Sequence, residues 1–189
     1  MNEEQFRKVI ALLSSYKPRS EITLDEIPAP QKLAKYAFAL SADVSNGLLG
    51  DDERELANGR FVILHEPGGQ ETWEGEFRCV TYMNADLETT EAEDPTLPEH
   101  GWNWLLKALE DNGCHIAAPS GTVTRVVSVA YGMLEGRDED SEMEVRASWT
   151  PTSGEEIAHH VQAWLDLLSL TAALEPIPEG VTQLTPGRR

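Results

Sequence analysis

Residues 60–87 read RFVILHEPGGQETWEGEFRCVTYMNADL, and the way this stretch divides decides the fold. Its second half alternates strictly. Phe77, Cys79, Thr81, Met83, Ala85 and Leu87 share one parity, and Arg78, Val80, Tyr82, Asn84 and Asp86 share the other. A period of two belongs to a strand, because successive side chains leave the pleat on opposite sides. Arg60 to His65 predicts a strand before it, closed by Pro67-Gly68-Gly69. Strands that follow one another without room for a crossover helix run antiparallel.

The same pattern extends outward in both directions. Phe38, Leu40, Ala42 and Val44 alternate with Ala37, Ala39, Ser41 and Asp43, and the charged segment Asp51 to Glu55 then reads as a loop. On the other side, Thr122 to Leu134 is a long β-branched run. Met143, Val145, Ala147 and Trp149 alternate with Glu142, Glu144, Arg146 and Ser148, after an acidic turn from Glu135 to Asp140. Three segments carry the helical period instead. Glu3 to Ser15 sets Phe6, Val9, Ile10 and Leu13 on one face, and Trp102, Leu105, Leu106 and Leu109 are in register before Asn112-Gly113. Thr152 and Ser153, each followed three residues later by Glu155 or Glu156, predict a capping box. It opens a last helix striped by Ile157, Val161, Trp164, Leu165 and Leu168. Glu21 to Gln31, with two prolines, reads as an extended connector, and Glu88 to Glu99 as an acidic loop.

The predicted order is α-β-β-β-α-β-β-α. This is a single α+β domain over residues 1–175, with a mainly antiparallel sheet, helices packed on one face and a loose tail over 176–189. The composition, 40% hydrophobic and 25% charged, is that of an ordinary folded chain. The N-terminus offers no secretory signal and no apolar run reaches the length of a membrane span, which predicts a cytoplasmic protein. Cys79 and Cys114 make neither a disulfide framework nor a zinc motif.

Net charge is the extreme feature. Thirty-three acidic residues against fifteen basic ones leave −18. Nucleic-acid binding draws affinity from neutralised phosphates, so this chain is predicted to be repelled by DNA and RNA, and by anionic membranes as well.

Motifs for chemistry are thin. Glu156-Ile157-Ala158-His159 matches Glu-x-x-His, but one copy does not make a di-iron site, and His159 and His160 read as surface histidines at a helix start. Asp138 to Glu142 lacks the glycine and distal glutamate of a calcium loop. There is no phosphate loop, nucleophile elbow or zinc helix, so no catalytic residue, metal ligand or cofactor is predicted. The ten arginines are more informative, because Arg60, Arg78, Arg125 and Arg146 all fall in or at the start of strands. Arg78 and Arg146, with Tyr82, lie on polar strand faces, where they either pair with the surplus of acids around them or form a candidate anion site with bidentate geometry. Arg125 shares its parity with valines, so it either snorkels or meets a buried carboxylate. Trp104, off its helix stripe, and Leu167, Leu170 and Leu174, outside theirs, mark either a homodimer or partner interface or a core with helices on two sides.

Five segments together resemble a known family. They are Glu26 to Gln31 (EIPAPQ), Tyr36 to Ala42 (YAFALSA), Gly101 to Leu105 (GWNWL), Gly121 to Arg125 (GTVTR) and Arg146 to Pro151 (RASWTP). The chain is similar to an actinobacterial family of unknown function, a resemblance that implies a bacterial cytoplasmic protein and carries no activity or ligand. The element order also resembles the secretion-chaperone fold, whose members dimerise and bind polypeptides, and this sets an expectation by analogy of fold. The expected function is a non-enzymatic, acidic, dimeric protein-binding or chaperone-like module whose partner is itself or another protein. The alternative is an enzyme or small-molecule binder using the sheet face around Arg78 and Arg146.

Overall fold

The computed structural model describes residues 3–14, 16–48, 50–87, 93–135 and 140–176. Among these residues six strands form one antiparallel sheet. They are β1 (Ile22–Ile27), β2 (Tyr36–Ser45), β3 (Glu55–Gln70), β4 (Gly75–Asp86), β5 (Ile116–Ser128) and β6 (Asp140–Pro151), in spatial order β1-β2-β3-β4-β6-β5. The described residues also form three helices: α1 (Glu3–Ser14), α2 (Leu97–Asp111) and α3 (Ile157–Thr171).

The alternation in the sequence sorts the two sheet faces. Register aligns Phe38 with Ile63, Ile63 with Cys79 and Cys79 with Trp149, so the apolar parity of four strands falls on one side. All four of these side chains are buried. The helices cover that side, and α3 lies in the middle, touching α1, α2 and strands β2, β3 and β4. Its position explains its composition. A helix with neighbours on both flanks and a sheet beneath is apolar around most of its circumference. Trp164 approaches β3 so closely that a Cβ at Gly59 would stand 3.1 Å from its ring, which makes glycine the fitting residue there. A second aromatic group closes the end near α1, where His65 stacks on Phe77 at 4.3 Å between Phe6 and Tyr36.

Several expectations shift. The connector at Glu21–Gln31 contains an edge strand, β1, followed by Pro28 and Pro30. Strand β3 begins at Glu55 rather than Arg60, and Pro67-Gly68-Gly69 sits in an irregularity of its ladder. The chain reverses instead through a 3-10 turn at Glu71–Trp73 and the left-handed Glu74. Strand β5 starts at Ile116, six residues before the β-branched run, and ends at Ser128, with Gly132–Leu134 forming a 3-10 turn. No reciprocal capping box forms: Ser153 Oγ accepts the Glu155 N–H, while the Glu156 side chain makes no cap. His160 is fully buried, against the surface position expected of it, because it falls between Ile157 and Trp164 on the inner face of α3. The expected tail over 176–189 lies, beyond Pro176, outside the described residues, as do residues 88–92 of the acidic loop and 136–139 of the acidic turn.

Candidate functional site

The sheet face away from the helices carries the arginines. Arg78, on β4, reaches across β6 to β5. Its Nη1 donates to the Ala118 carbonyl at 2.8 Å and to Thr150 Oγ1 at 3.2 Å. Nη2 donates to Ser148 Oγ at 2.6 Å and to Ser120 Oγ at 3.1 Å. The ladder between β5 and β6 breaks between Ala117 and Ser120, and Ala118 takes a φ of 45° there. The guanidinium therefore staples a bulge to the sheet. Only 8% of Arg78 remains exposed, burial holds its pKa below the usual arginine value, and among the described residues no carboxylate is within ion-pairing distance.

Tyr82 and Arg146 meet directly. They are opposite in register, and the guanidinium lies 5.3 Å from the ring centre. Both also bind Glu144: Arg146 Nη2 at 3.1 Å and the Tyr82 hydroxyl at 3.4 Å. Burial, then the charge of Glu144, raises the Tyr82 pKa. Arg78 starts four positions along β4 from Tyr82, and its guanidinium is held by Ser148, two positions from Arg146 on β6, while Arg146 turns to Tyr82 and Glu144. Arg60, opposite Tyr82 on its other side, borders an open cleft of about 570 Å³ that also contains Asp43, Glu55 and Asn58. Carboxylates dominate this end of the face. Asp43 is pushed up by burial and then by Glu55 and Asp25, and Asp86 by burial and then by Asp140 and Glu142. Asn84 donates to Glu142 at 2.8 Å, and its buried Oδ1 has no partner.

A second open cleft, about 590 Å³, lies between Glu74–Phe77 and Thr150–Glu155. Its side chains bring three carboxylates, Glu74, Glu76 and Glu155, and hydroxyls, but no histidine, cysteine or basic group. Among the described residues no group of three His, Cys, Asp or Glu is placed to hold a metal ion. Cys79 is buried and its thiol is pushed well up by burial; half-buried Cys114 is pushed up to about 12 by burial and then by Glu156. Neither is a ready thiolate nucleophile.

The four expected interface residues separate. Leu167 is wholly buried in the core, while Trp104 and Leu174 are half-buried and pack against it. Leu170 stands 51% exposed. Leu167 therefore belongs to the core with helices on two sides, while Trp104, Leu170 and Leu174 keep part of their surface open. Arg125 snorkels. It is exposed, and its Nη1 donates to the Asp94 carbonyl at 2.9 Å.

The surface that sequence reasoning passed over is the edge of β5. Among the described residues this strand ends the sheet and pairs only with β6, and none of its thirteen residues is buried. Beyond it Val129, Tyr131 and Met133 are exposed, Tyr131 to 79%. The signal was present in the sequence, since no aspartate or glutamate occurs between Asp111 and Glu135.

Comparison with known families matches residues 2–182 to the family described as protein of unknown function (DUF3000). The chain belongs to the DUF3000 family. No curated protein and no solved structure matches it. Membership in DUF3000 thus assigns no chemistry to either sheet face. No helix among the described residues is long and apolar enough to cross a membrane.

Proposed function

We propose that the protein is a non-enzymatic protein-binding module whose working surface is the open edge of β5, which takes an extended polypeptide by strand addition. One observation carries this reading. The strand is long, has no strand on its outer side among the described residues, has no buried residue and is free of carboxylates in a chain of net charge −18. Unpaired N–H and C=O groups in such a row are a template for another strand, and main-chain hydrogen bonds supply affinity without any pocket. The chaperone-like role expected from the element order needs the same kind of surface.

The anion-binding alternative is weaker on the contacts at hand. Both Arg78 terminal nitrogens donate to neutral groups of the chain, and Arg146 is bound to Glu144. A ligand would have to displace these partners within an acidic neighbourhood.

Hydrogen exchange read segment by segment tests the proposal, comparing the dilute protein with its complexes isolated from the native host. Outward-facing amides within 116–128 are expected to slow at least about tenfold on complex formation, as strand pairing protects them. Protection confined to the face around Tyr82 and Arg146 would overturn the edge reading. If no complex formed, and a metabolite raised the melting temperature only while Arg146 was present, the small-molecule alternative would replace it.

A further inference from the structure

Building on the edge reading, we infer that the occupant of β5 is a second copy of this chain, joined antiparallel about a two-fold axis centred on Thr124 to make one continuous sheet of twice the width.

The two edges of the sheet differ in kind. Strand β1 has six residues, carries Asp25 and exposed Glu26, and is followed by Pro28 and Pro30. Short length, charge and proline are the devices that block edge pairing, and self-pairing of β1 would also set carboxylates against carboxylates. Strand β5 is twice as long, and its only charged side chain, Arg125, turns back to the Asp94 carbonyl of its own molecule. Any copy arriving at this protein carries −18 with it. Strand β5 is the edge where an equally acidic molecule meets no opposing carboxylate.

Register follows from the ladder. From Ser120↔Ser148 to Ser128↔Asp140 the strand pairs with β6 through nine unbroken positions, and the bulge containing Pro119 ends the run. A two-fold axis normal to the sheet pairs residues of like parity, so one residue must face its own copy. The midpoint of 120–128 is Thr124, on the face away from the helices beside Glu144. Centred there, every residue of the run finds a partner, Thr124 meets Thr124, and Arg125 meets Val123 rather than another arginine. Threonine pairs and aliphatic neighbours are favourable across strands. The extended chain beyond Ser128 then carries Val129 and Tyr131 toward the second copy's Pro119 and Ala117, which accounts for exposed apolar side chains at one end of an acidic molecule.

Sedimentation equilibrium and disulfide trapping test this with the full chain. Wild type is expected to reach twice the monomer mass. Its association should strengthen by roughly tenfold from 20 mM to 300 mM salt, because screening relieves repulsion between like-charged copies. Thr124→Lys and Val127→Lys, both at exposed positions, are expected to weaken association at least tenfold with unchanged circular dichroism. Thr124→Cys should give a covalent dimer under mild oxidant. Ser120→Cys should not, since the two copies of that position would stand about 27 Å apart. A monomer at all concentrations and salts, or equal trapping at both positions, would overturn the second copy as occupant. If wild type stayed monomeric while amides 120–128 were protected by a different polypeptide, the inference would fall and the edge reading would stand. Protection elsewhere would remove both.

Discussion

Buried His160 sets a pH dependence on the stability of the fold. Its Nδ1 accepts the Trp149 Nε1–H at 3.1 Å, so the neutral ring carries its proton on Nε2, which is buried without a partner. Burial lowers its pKa to about 4, opposed by Glu156 and assisted by His159 and His115. In the unfolded chain the ring titrates near its ordinary value of about 6.5. Between those values the unfolded state holds a proton that the folded state refuses, so stability is fully present above pH 6.5 and is lost as pH falls toward 4. The gap of about 2.5 units corresponds at most to about 3 kcal/mol, of which about 2 kcal/mol should disappear between pH 7 and pH 5. Urea denaturation of wild type and His160→Gln at half-unit steps from pH 4.5 to 7.5 measures it. Glutamine retains an acceptor for Trp149, and the carboxylates that also titrate in this range cancel in the difference between the two proteins. The variant is expected to lose stability near pH 7 but to narrow the gap by about 2 kcal/mol at pH 5. A difference independent of pH would refute the assignment of a neutral, buried His160.

Three further outcomes follow from contacts already described. Arg78→Ala should cost about 2–3 kcal/mol in denaturant titrations by removing the arginine's bonds to the Ala118 carbonyl and to three hydroxyls, which keep only each other (Ser120 and Ser148) or the Trp73 carbonyl (Thr150), and Arg78→Lys should recover less than half, because a point charge cannot span four acceptors on two strands. Gly121→Ala places a Cβ 2.5 Å from the Arg146 carbonyl oxygen and 2.9 Å from the Trp102 ring, so a loss of about 1–3 kcal/mol is expected, visible as a lowered melting temperature. Cys114, with its thiol pushed up to about 12, should react with a thiol-specific disulfide reagent at pH 8 at least about a hundredfold more slowly than free cysteine; rates within tenfold would contradict its burial.

The strands that sequence reveals best are those with one wet and one dry face. Strands β2, β4 and β6 alternate because the helices cover one side and solvent meets the other, and their register follows that alternation. Strand β1 is hidden because only Ile22 of its six residues is buried, which leaves no period to read. Strand β5 is displaced because Pro119 and Gly121 look like breakers. An edge strand tolerates proline in a bulge, and Gly121 is where Trp102 comes down on the backbone. His160 was legible after all: Ile157, His160, Val161, Trp164 and Leu168 keep helical spacing, so the period sent it inward although its chemistry suggested otherwise. The surroundings of Arg78 were not legible. Its four acceptors come from residues 118 to 150, and only the pairing order β4-β6-β5 brings them to it.

The acidity of this chain and its unguarded edge belong to one physical scheme. An open strand of β-branched residues is a hazard in a neutral protein, because any exposed edge or unfolded segment adds to it at short range. A net charge of −18 acts at longer range and holds indiscriminate encounters apart, most strongly at low salt. The carboxylates stand on β1, on the helices, on the open sheet face and in the loops, and β5 has none. On the proposed reading, an approaching acidic molecule is repelled in most orientations and admitted along one strand. Selectivity of this kind requires no pocket and no catalytic group. Repulsion everywhere else is as much a part of recognition as the hydrogen bonds that the edge offers.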